Sequence, residues 1–531
     1  MRSLTMRLLL VLFFVALVSL ALVQGQETAN QSGGSAVPGA TREEVEQLRK
    51  EVAAQQQTIE ELKAMVQQLA DSQTQAASAN RNLDPGAGGA HLVNATYVQP
   101  EVLIETAEPA QAATAAPKKD AGAPVTAGWN GDHFYIKSSD GQFQIMPYGY
   151  VQNDYRGYKG DGAPSNTFTV RRARFGFQGN YGKHYDFALL IDAAASNGIS
   201  LRDLYLNVKP VKEFQVQVGQ FKEPFAQETL TAVTNIDFIE RSLASLLYPA
   251  AATAYRSPGV TIHGDLSDGV VQYWVGAFNG KGILAADTTN EPEIIGRLRF
   301  YPWRKKKDNI LQGFAFGGSI GRGRTRGLSN EQSINGTLPD AAYNFFPSFP
   351  LNGKVERYNG EFTWTHSSWA LRAEYDQLNQ FRKGIGSEQV GGLGFFDLPG
   401  VISKAGYVQA TYLLTGETRP ENGTPKVKHP FLGPEGGGAT RGLGAWEVAF
   451  RYNYIQSKEP GASFLNNPFT PGFVPTFSEH TDEFTAGLNW YPNYWVKYQF
   501  NFNVDRLKQP STIGAIPQNY FVLLNRLQFR F

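Results

Sequence analysis

The sequence predicts an all-β transmembrane barrel of about 16 antiparallel strands, preceded by an N-terminal α-helical coiled coil. Three observations predict the barrel. First, strands alternate between two unlike faces: Arg172, Arg174, Gln178 and Asn180 lie opposite Ala173, Phe175, Phe177 and Tyr181. Further on, Asp203, Tyr205, Asn207 and Lys209 lie opposite Leu204, Leu206 and Val208, and Gln215 and Gln217 opposite Phe214, Val216 and Val218. Second, aromatic residues crowd the ends of the apolar faces. A soluble sandwich also alternates, because one face of each sheet is wet, but it has no need of those aromatics, whereas a barrel with lipid outside needs a girdle at each interface. Third, tight turns alternate with long connections along the chain.

Taken in order, strands are expected near 142–158, 168–181, 184–193, 200–209, 213–225, 257–266, 270–279, 293–303, 310–322, 356–366, 369–382, 401–414, 444–456, 482–491, 494–506 and 519–531. That is an even set, as closure of a bacterial barrel requires. Tight turns at 180–183, 210–212, 267–269, 367–368 and 491–493 define one end; long connections at 226–256, 323–355, 383–400 and 457–481 define the other. The segment 415–443 breaks the rule. It falls where a short periplasmic turn belongs, yet it is long and rich in Gly and Pro, so it is either an insertion or a slip in the strand count.

The last strand shows the face split plainly: Phe521, Leu523, Leu527, Phe529 and Phe531 against Arg526, Gln528 and Arg530. Its neighbour sets Val496, Tyr498, Phe500 and Phe502 outward and Lys497, Gln499, Asn501 and Asn503 inward.

Ahead of the barrel, residues 1–25 read as a signal peptide. Arg2 and Arg7 precede the apolar run Leu8 to Val23, and Val23-Gln24-Gly25 suits cleavage before Gln26. The run is only slightly short for a membrane helix, but no stop signal follows it. Residues 41–70 carry a heptad with Val45, Val52, Ile59 and Val66 at a, and Leu48, Gln55, Leu62 and Leu69 at d. The seam is narrower than the apolar stripe of a helix packed on a domain, and β-branched a positions with Leu at d lean towards a two-stranded coil. Residues 71–130 are rich in Ala, Gly, Pro, Thr and Gln and read as a low-complexity linker; residues 131–531 are the barrel. The absence of cysteine excludes a lipid-anchored lipoprotein, and a net charge of +1 gives no reason to expect nucleic acid.

No catalytic constellation emerges. The seven histidines lack metal-ligand spacing, and no H-E-x-x-H, G-x-S-x-G or P-loop pattern occurs, so neither an enzyme nor a cofactor is expected. A barrel this wide leaves an aqueous lumen unless something plugs it. Strand parity puts Arg172, Arg174, Lys209, Arg297, Arg299, Arg372, Arg451, Lys497, Arg526 and Arg530 on the lumen face. Asp186, Asp192, Asp203, Glu361, Glu374, Asp376 and Glu447 share that face, and pairing with them would cancel the field of each arginine. The connection 226–256 is too apolar to wave in water. Folded inward, it would form a constriction and bring Arg241 and Arg256 to it.

The motifs RRARFGFQG (171–179) and VGQFKEPF (218–225), followed by FIER (238–241), resemble the phosphate-selective porin family, the O and P type porins of the bacterial outer membrane, over roughly 131–531. The resemblance implies a homotrimer in outer-membrane lipid and a passive channel for small anions, phosphate or other oxyanions. It also implies that the terminal aromatic strand is read by the insertion machinery. It matches Arg241 to a basic residue of the family's inward loop, and Arg171 and Arg172 to paired arginines opposite. Arg171 is out of phase with the lumen, so it takes part only if its strand bulges. Arg171, Arg172, Arg174, Arg241, Arg256, Arg297, Arg299, Arg451 and Lys497 are the expected pore-lining, anion-binding set. One departure stands out: Thr229 occupies the place of a loop lysine found in phosphate-specific members. The alternative reading is a structural barrel tethering the envelope through its periplasmic coiled coil, with a periplasmic or cell-wall partner for that coil.

Overall fold

The computed structural model describes residues 125–130, 133–160, 163–195, 198–247, 255–326, 351–385, 396–432, 442–459, 477–508 and 519–531. The signal peptide, the coiled coil and almost all of the linker lie outside the described residues.

A small hairpin, β1 (Thr126–Trp129) and β2 (Phe134–Lys137), comes first; its first strand falls in the stretch read as linker. The barrel follows: β3 (Phe143–Lys159), β4 (Thr167–Tyr181), β5 (Tyr185–Asp192), β6 (Ser200–Val211), β7 (Phe214–Lys222), β8 (Arg256–Leu266), β9 (Val271–Phe278), β10 (Glu293–Phe300), β11 (Gly313–Arg326), β12 (Asn352–His366), β13 (Trp369–Ile385), β14 (Phe396–Leu413), β15 (Ala445–Glu459), β16 (Phe477–Tyr491), β17 (Val496–Lys508) and β18 (Asn519–Arg530). Each pairs antiparallel with the next, and β18 closes on β3 from Phe521↔Lys159 to Arg530↔Tyr150. The sixteen barrel strands fall where the alternation places them, though β14 and β16 begin at Phe396 and Phe477 rather than near 401 and 482.

The two-residue period sorts side chains between lipid and lumen. Along β18, Tyr520, Val522, Leu524, Arg526 and Gln528 are buried inside, while Phe521, Leu527 and Phe529 are exposed outside. Phe175, Leu206, Val218, Leu298, Phe316, Val408, Phe450 and Phe502 are among the apolar side chains of the same outer band. A chain with this outer surface is soluble only in a bilayer.

The segment 415–443 is not a miscounted strand. β14 ends at Leu413, β15 begins at Ala445, and the described residues between them contain no strand. It is a long connection at the end where the other turns are tight.

The β3–β4 pair carries one irregularity that matters. Gln152 pairs with Arg172, but Asn153 pairs with Val170, so Arg171 is the extra residue of a β-bulge. The bulge gives Arg171 the freedom its parity denies it.

Candidate functional site

The β7–β8 connection folds into the barrel. It opens with a short helix (Gln227–Leu230) and includes a 3-10 turn (Leu243–Leu247). Burial drives it there: Phe225, Ala226, Val233, Ile236, Phe238, Ile239, Leu243, Ala244 and Leu247 are all buried. Ile239, Leu243, Ala244 and Leu247 form one apolar cluster with Val355, Leu378, Val401, Tyr407, Ile455 and Val522 of the wall. Phe238 approaches β16 closely: a Cβ on Gly487 would sit 3.3 Å from its ring and 2.8 Å from the Asn501 amide, so a larger residue there would push on both.

Polar anchors fix the loop along the same half of the barrel. Arg297 and Arg299 donate to Gln227. The Glu228 N–H donates to Glu374 (2.6 Å), and Asp237 is held by Arg372 (2.5 Å) and Gln409 (2.7 Å). Asn489 and Gln499 donate to the Asp237 carbonyl, and Lys497 donates to that of Ile236 (2.8 Å). Asn501 accepts from the Ile239 N–H (2.7 Å). These partners belong to β10 and β13 to β17, so the loop lies against the β10–β18 side. It reaches β3 and β4 through Glu240. That carboxylate meets Arg156, Arg171 (2.9 Å), Arg172 (3.7 Å) and Arg526 (3.6 Å). Burial opposes its charge, but the guanidiniums of Arg171, Arg156, Arg172 and Arg526 prevail and hold it well below the usual carboxylate range.

Sequence reasoning missed a second segment. The β14–β15 connection enters the lumen and meets the loop: Arg419 pairs with Asp237 and with Glu447 (2.9 Å), and Glu421 pairs with Arg299 (2.7 Å). Its Asn422 accepts from Gln227 (3.4 Å). The signal that could have found it was its length at the tight-turn end.

Beside the loop a cavity of about 760 Å³ remains, walled by side chains of β3 to β9, by loop residues Leu230 to Asn235, by Pro420, Asn422, Gly423 and Thr424 of the β14–β15 connection, and by Tyr494, Arg530 and Phe531. Arg174, Lys222, Arg256 and Arg530 line it, and Asp203 is the only acidic side chain among its lining residues. Arg174 pairs with Asp192 (2.7 Å) and Arg256 with Asp203 (2.8 Å). Lys222 differs. Its ammonium donates to the carbonyls of Leu230 (3.0 Å) and Thr231 (2.9 Å), and no described carboxylate lies within ion-pair distance.

The expected site residues thus separate. Arg174 and Arg256 border the cavity. Arg171, Arg172, Arg297, Arg299, Arg451 and Lys497 bind the loop or carboxylates around it; Arg451 holds the Glu240 carbonyl (3.1 Å) and Glu483 (3.3 Å). Arg241 does not face Arg172 across an open lumen. It donates to the carbonyls of Glu228 and Thr231 (2.7 Å) and lies over the Tyr255 ring at 5.3 Å, while its neighbour Glu240 goes to Arg171 and Arg172. Thr229 is buried, its hydroxyl bonded to the carbonyls of Phe225 and Ala226. Lys222 stood in the GQFKEPF motif, but nothing in the motif said that its charge would lack an acid. Among the described residues, no group of three or more His, Asp or Glu is placed to hold a metal ion.

The chain matches the family described as phosphate-selective porin O and P over residues 147–531. The chain belongs to that family. Family and barrel together place this porin in the bacterial outer membrane as a channel. A comparison with curated proteins found no match. Solved structures similar to the porin include outer-membrane-expressed OmpT of Vibrio cholerae (10% identity, 75% of this chain and 100% of that one, TM-score 0.46). The outer-membrane channel DcaP of Acinetobacter baumannii is similar at 13% identity, over 74% of this chain and 99% of that one, with TM-score 0.45. An anion-selective porin from Comamonas acidovorans is similar at 11% identity, over 73% and 100%, with TM-score 0.45.

Proposed function

We propose that this porin is a passive channel for small anions, phosphate included, and that the passage runs between the β3–β9 wall and the inward loop. The observation that carries this reading is the charge of the cavity: Arg174, Lys222, Arg256 and Arg530 against Asp203. Lys222 is the decisive member. An ammonium has three donors; carbonyls take two, leaving one for an anion in the cavity it lines. With Thr229 in the loop, the second ammonium of phosphate-specific members is missing, so the preference is for anions as a class rather than for phosphate above others.

The rest of the assignment belongs to the same proposal. The chain is exported by its signal peptide, the barrel assembles as a homotrimer, and the coiled coil stands in the periplasm. Reversal potential in a potassium chloride gradient tests the channel reading. The wild type should prefer chloride, and Lys222→Met should move the potential towards cations, partially, because screening limits each remaining charge to roughly 8 Å at physiological salt. Cation preference in the wild type would end the anion reading.

A further inference from the structure

The cavity beside the loop is built for more than a bare inorganic ion. Its volume of about 760 Å³ falls within the roughly 300–1,000 Å³ typical of small-molecule sites. Cations and aromatics are interleaved around one wall: Tyr148, Arg174, Tyr205, Lys222, Arg256 and Trp274, on β3, β4, β6, β7, β8 and β9, line the same space. Tyr205 is braced edge-on by Phe221 at 6.0 Å, and Phe221 in turn by Phe278 at 5.4 Å, so the platform is packed from behind. Trp274 carries the Arg297 guanidinium over its ring at 4.7 Å, which fixes the indole against the wall.

Aromatic faces inside an aqueous pore have a cost that bare-ion transport does not require, since water wets them poorly. Three donors in the cavity are also unspent. The hydroxyls of Tyr148 and Tyr205 and the indole N–H of Trp274 border the space without a hydrogen bond to any described residue. Fixed cations with flat faces and neutral donors among them match one ligand class. It has an anionic head for Lys222 and Arg256 and a ring-sized body with hydroxyl or apolar surface for the aromatics.

We infer that the porin takes organic anions, a phosphate or carboxylate head on a ring-sized body, in preference to inorganic phosphate. The inference rests on the anion-channel reading. It reassigns the absent loop lysine: Thr229 leaves the head less tightly held, and the aromatic wall supplies the affinity for the body.

The test is block of chloride current through the full-length wild-type channel in a planar bilayer. Inorganic phosphate, glucose 6-phosphate, benzoate and neutral glucose are added in turn. Glucose 6-phosphate and benzoate should half-block at a concentration about tenfold below inorganic phosphate, the upper end of what one good aromatic contact contributes. The two organic probes separate a phosphate head from a carboxylate head. Trp274→Leu should erase most of that advantage. Inorganic phosphate blocking as well as or better than both organic anions would overturn the inference while leaving chloride preference intact. Equal block by neutral glucose would overturn it too, since the head would then play no part. Loss of chloride preference in the unblocked wild type would instead strike the underlying channel reading.

Discussion

Replacing Glu240 by Gln should release the loop from β3 and β4. The carboxylate meets four guanidiniums, those of Arg156, Arg171, Arg172 and Arg526, and shares two of them, Arg156 and Arg526, with Asp154. The pairs with Arg172 and Arg526 span 3.7 and 3.6 Å. At an effective dielectric constant of about 20, each is worth roughly 4.5 kcal/mol of gross attraction. Desolvation of the buried carboxylate offsets much of this, and the net cost of breaking such a site by removing one partner is about 3–5 kcal/mol. A loss of that size lowers the ratio of docked to undocked loop by a factor of roughly 2 × 10² to 5 × 10³. Single-channel recording is the assay. The variant should show noisier and larger unitary currents, and stronger anion preference, because four guanidiniums then lose the carboxylate that they share. Currents indistinguishable from wild type in size, noise and selectivity would refute the reasoning, and the loop would have to be held by its apolar cluster without help from charge.

Other outcomes follow from the same contacts. Because Glu240 has its carboxyl depressed in the folded barrel, its contribution is complete above the ordinary glutamate range and is lost only as pH falls through the lower, folded value. Current noise should therefore stay flat from pH 7 to about 4.5 and rise only in stronger acid; a rise already at pH 6 would contradict this. Arg419→Ala leaves Glu447 without its guanidinium and Asp237 with Arg372 and Gln409. It should destabilise the docked β14–β15 connection by about 3–5 kcal/mol, read as faster tryptic cleavage within 415–443. In β7, Gly219 has a positive φ of 133°, and a Cβ there would meet the Leu204 carbonyl at 2.2 Å. Gly219→Ala should reduce the yield of folded barrel on a heat-modifiability gel, since alanine in that backbone region costs more than about 1 kcal/mol.

The barrel was legible because its physics is local. A two-residue period, aromatics at the ends of apolar faces and alternating connection lengths each follow from a few neighbouring residues, and together they located all sixteen strands. The inward course of the β7–β8 loop was legible for the same reason: Phe238, Ile239 and Leu243 are too apolar for water. Which cation meets which acid was not legible. Parity puts Arg172 and Arg297 in the lumen, but only the three-dimensional path of the loop decides that the first goes to Glu240 and the second to Gln227 and Glu361. Arg171 shows the boundary well. The sequence states the condition, a bulge, and only the register shows that it is met. The β14–β15 connection was read as an anomaly of length, because its partners Asp237 and Arg299 lie more than a hundred residues away in the chain.

The one-sided placement of the loop separates two kinds of mutational freedom. Along β10–β18 the inward side chains Arg297, Arg372, Glu374, Gln409, Arg451, Asn489, Lys497, Asn501 and Arg526 each have a loop atom as partner, so a change at one of them is felt as misfolding or leakage. Along β3–β9 the inward residues Tyr148, Gln178, Tyr205, Gln217 and Thr261 face the cavity. Substitutions there alter what the passage accepts without loosening what narrows it. Distant sites with no shared partners act additively, so a lineage or a designer can re-specify the cargo of this channel one residue at a time while its eyelet keeps its shape.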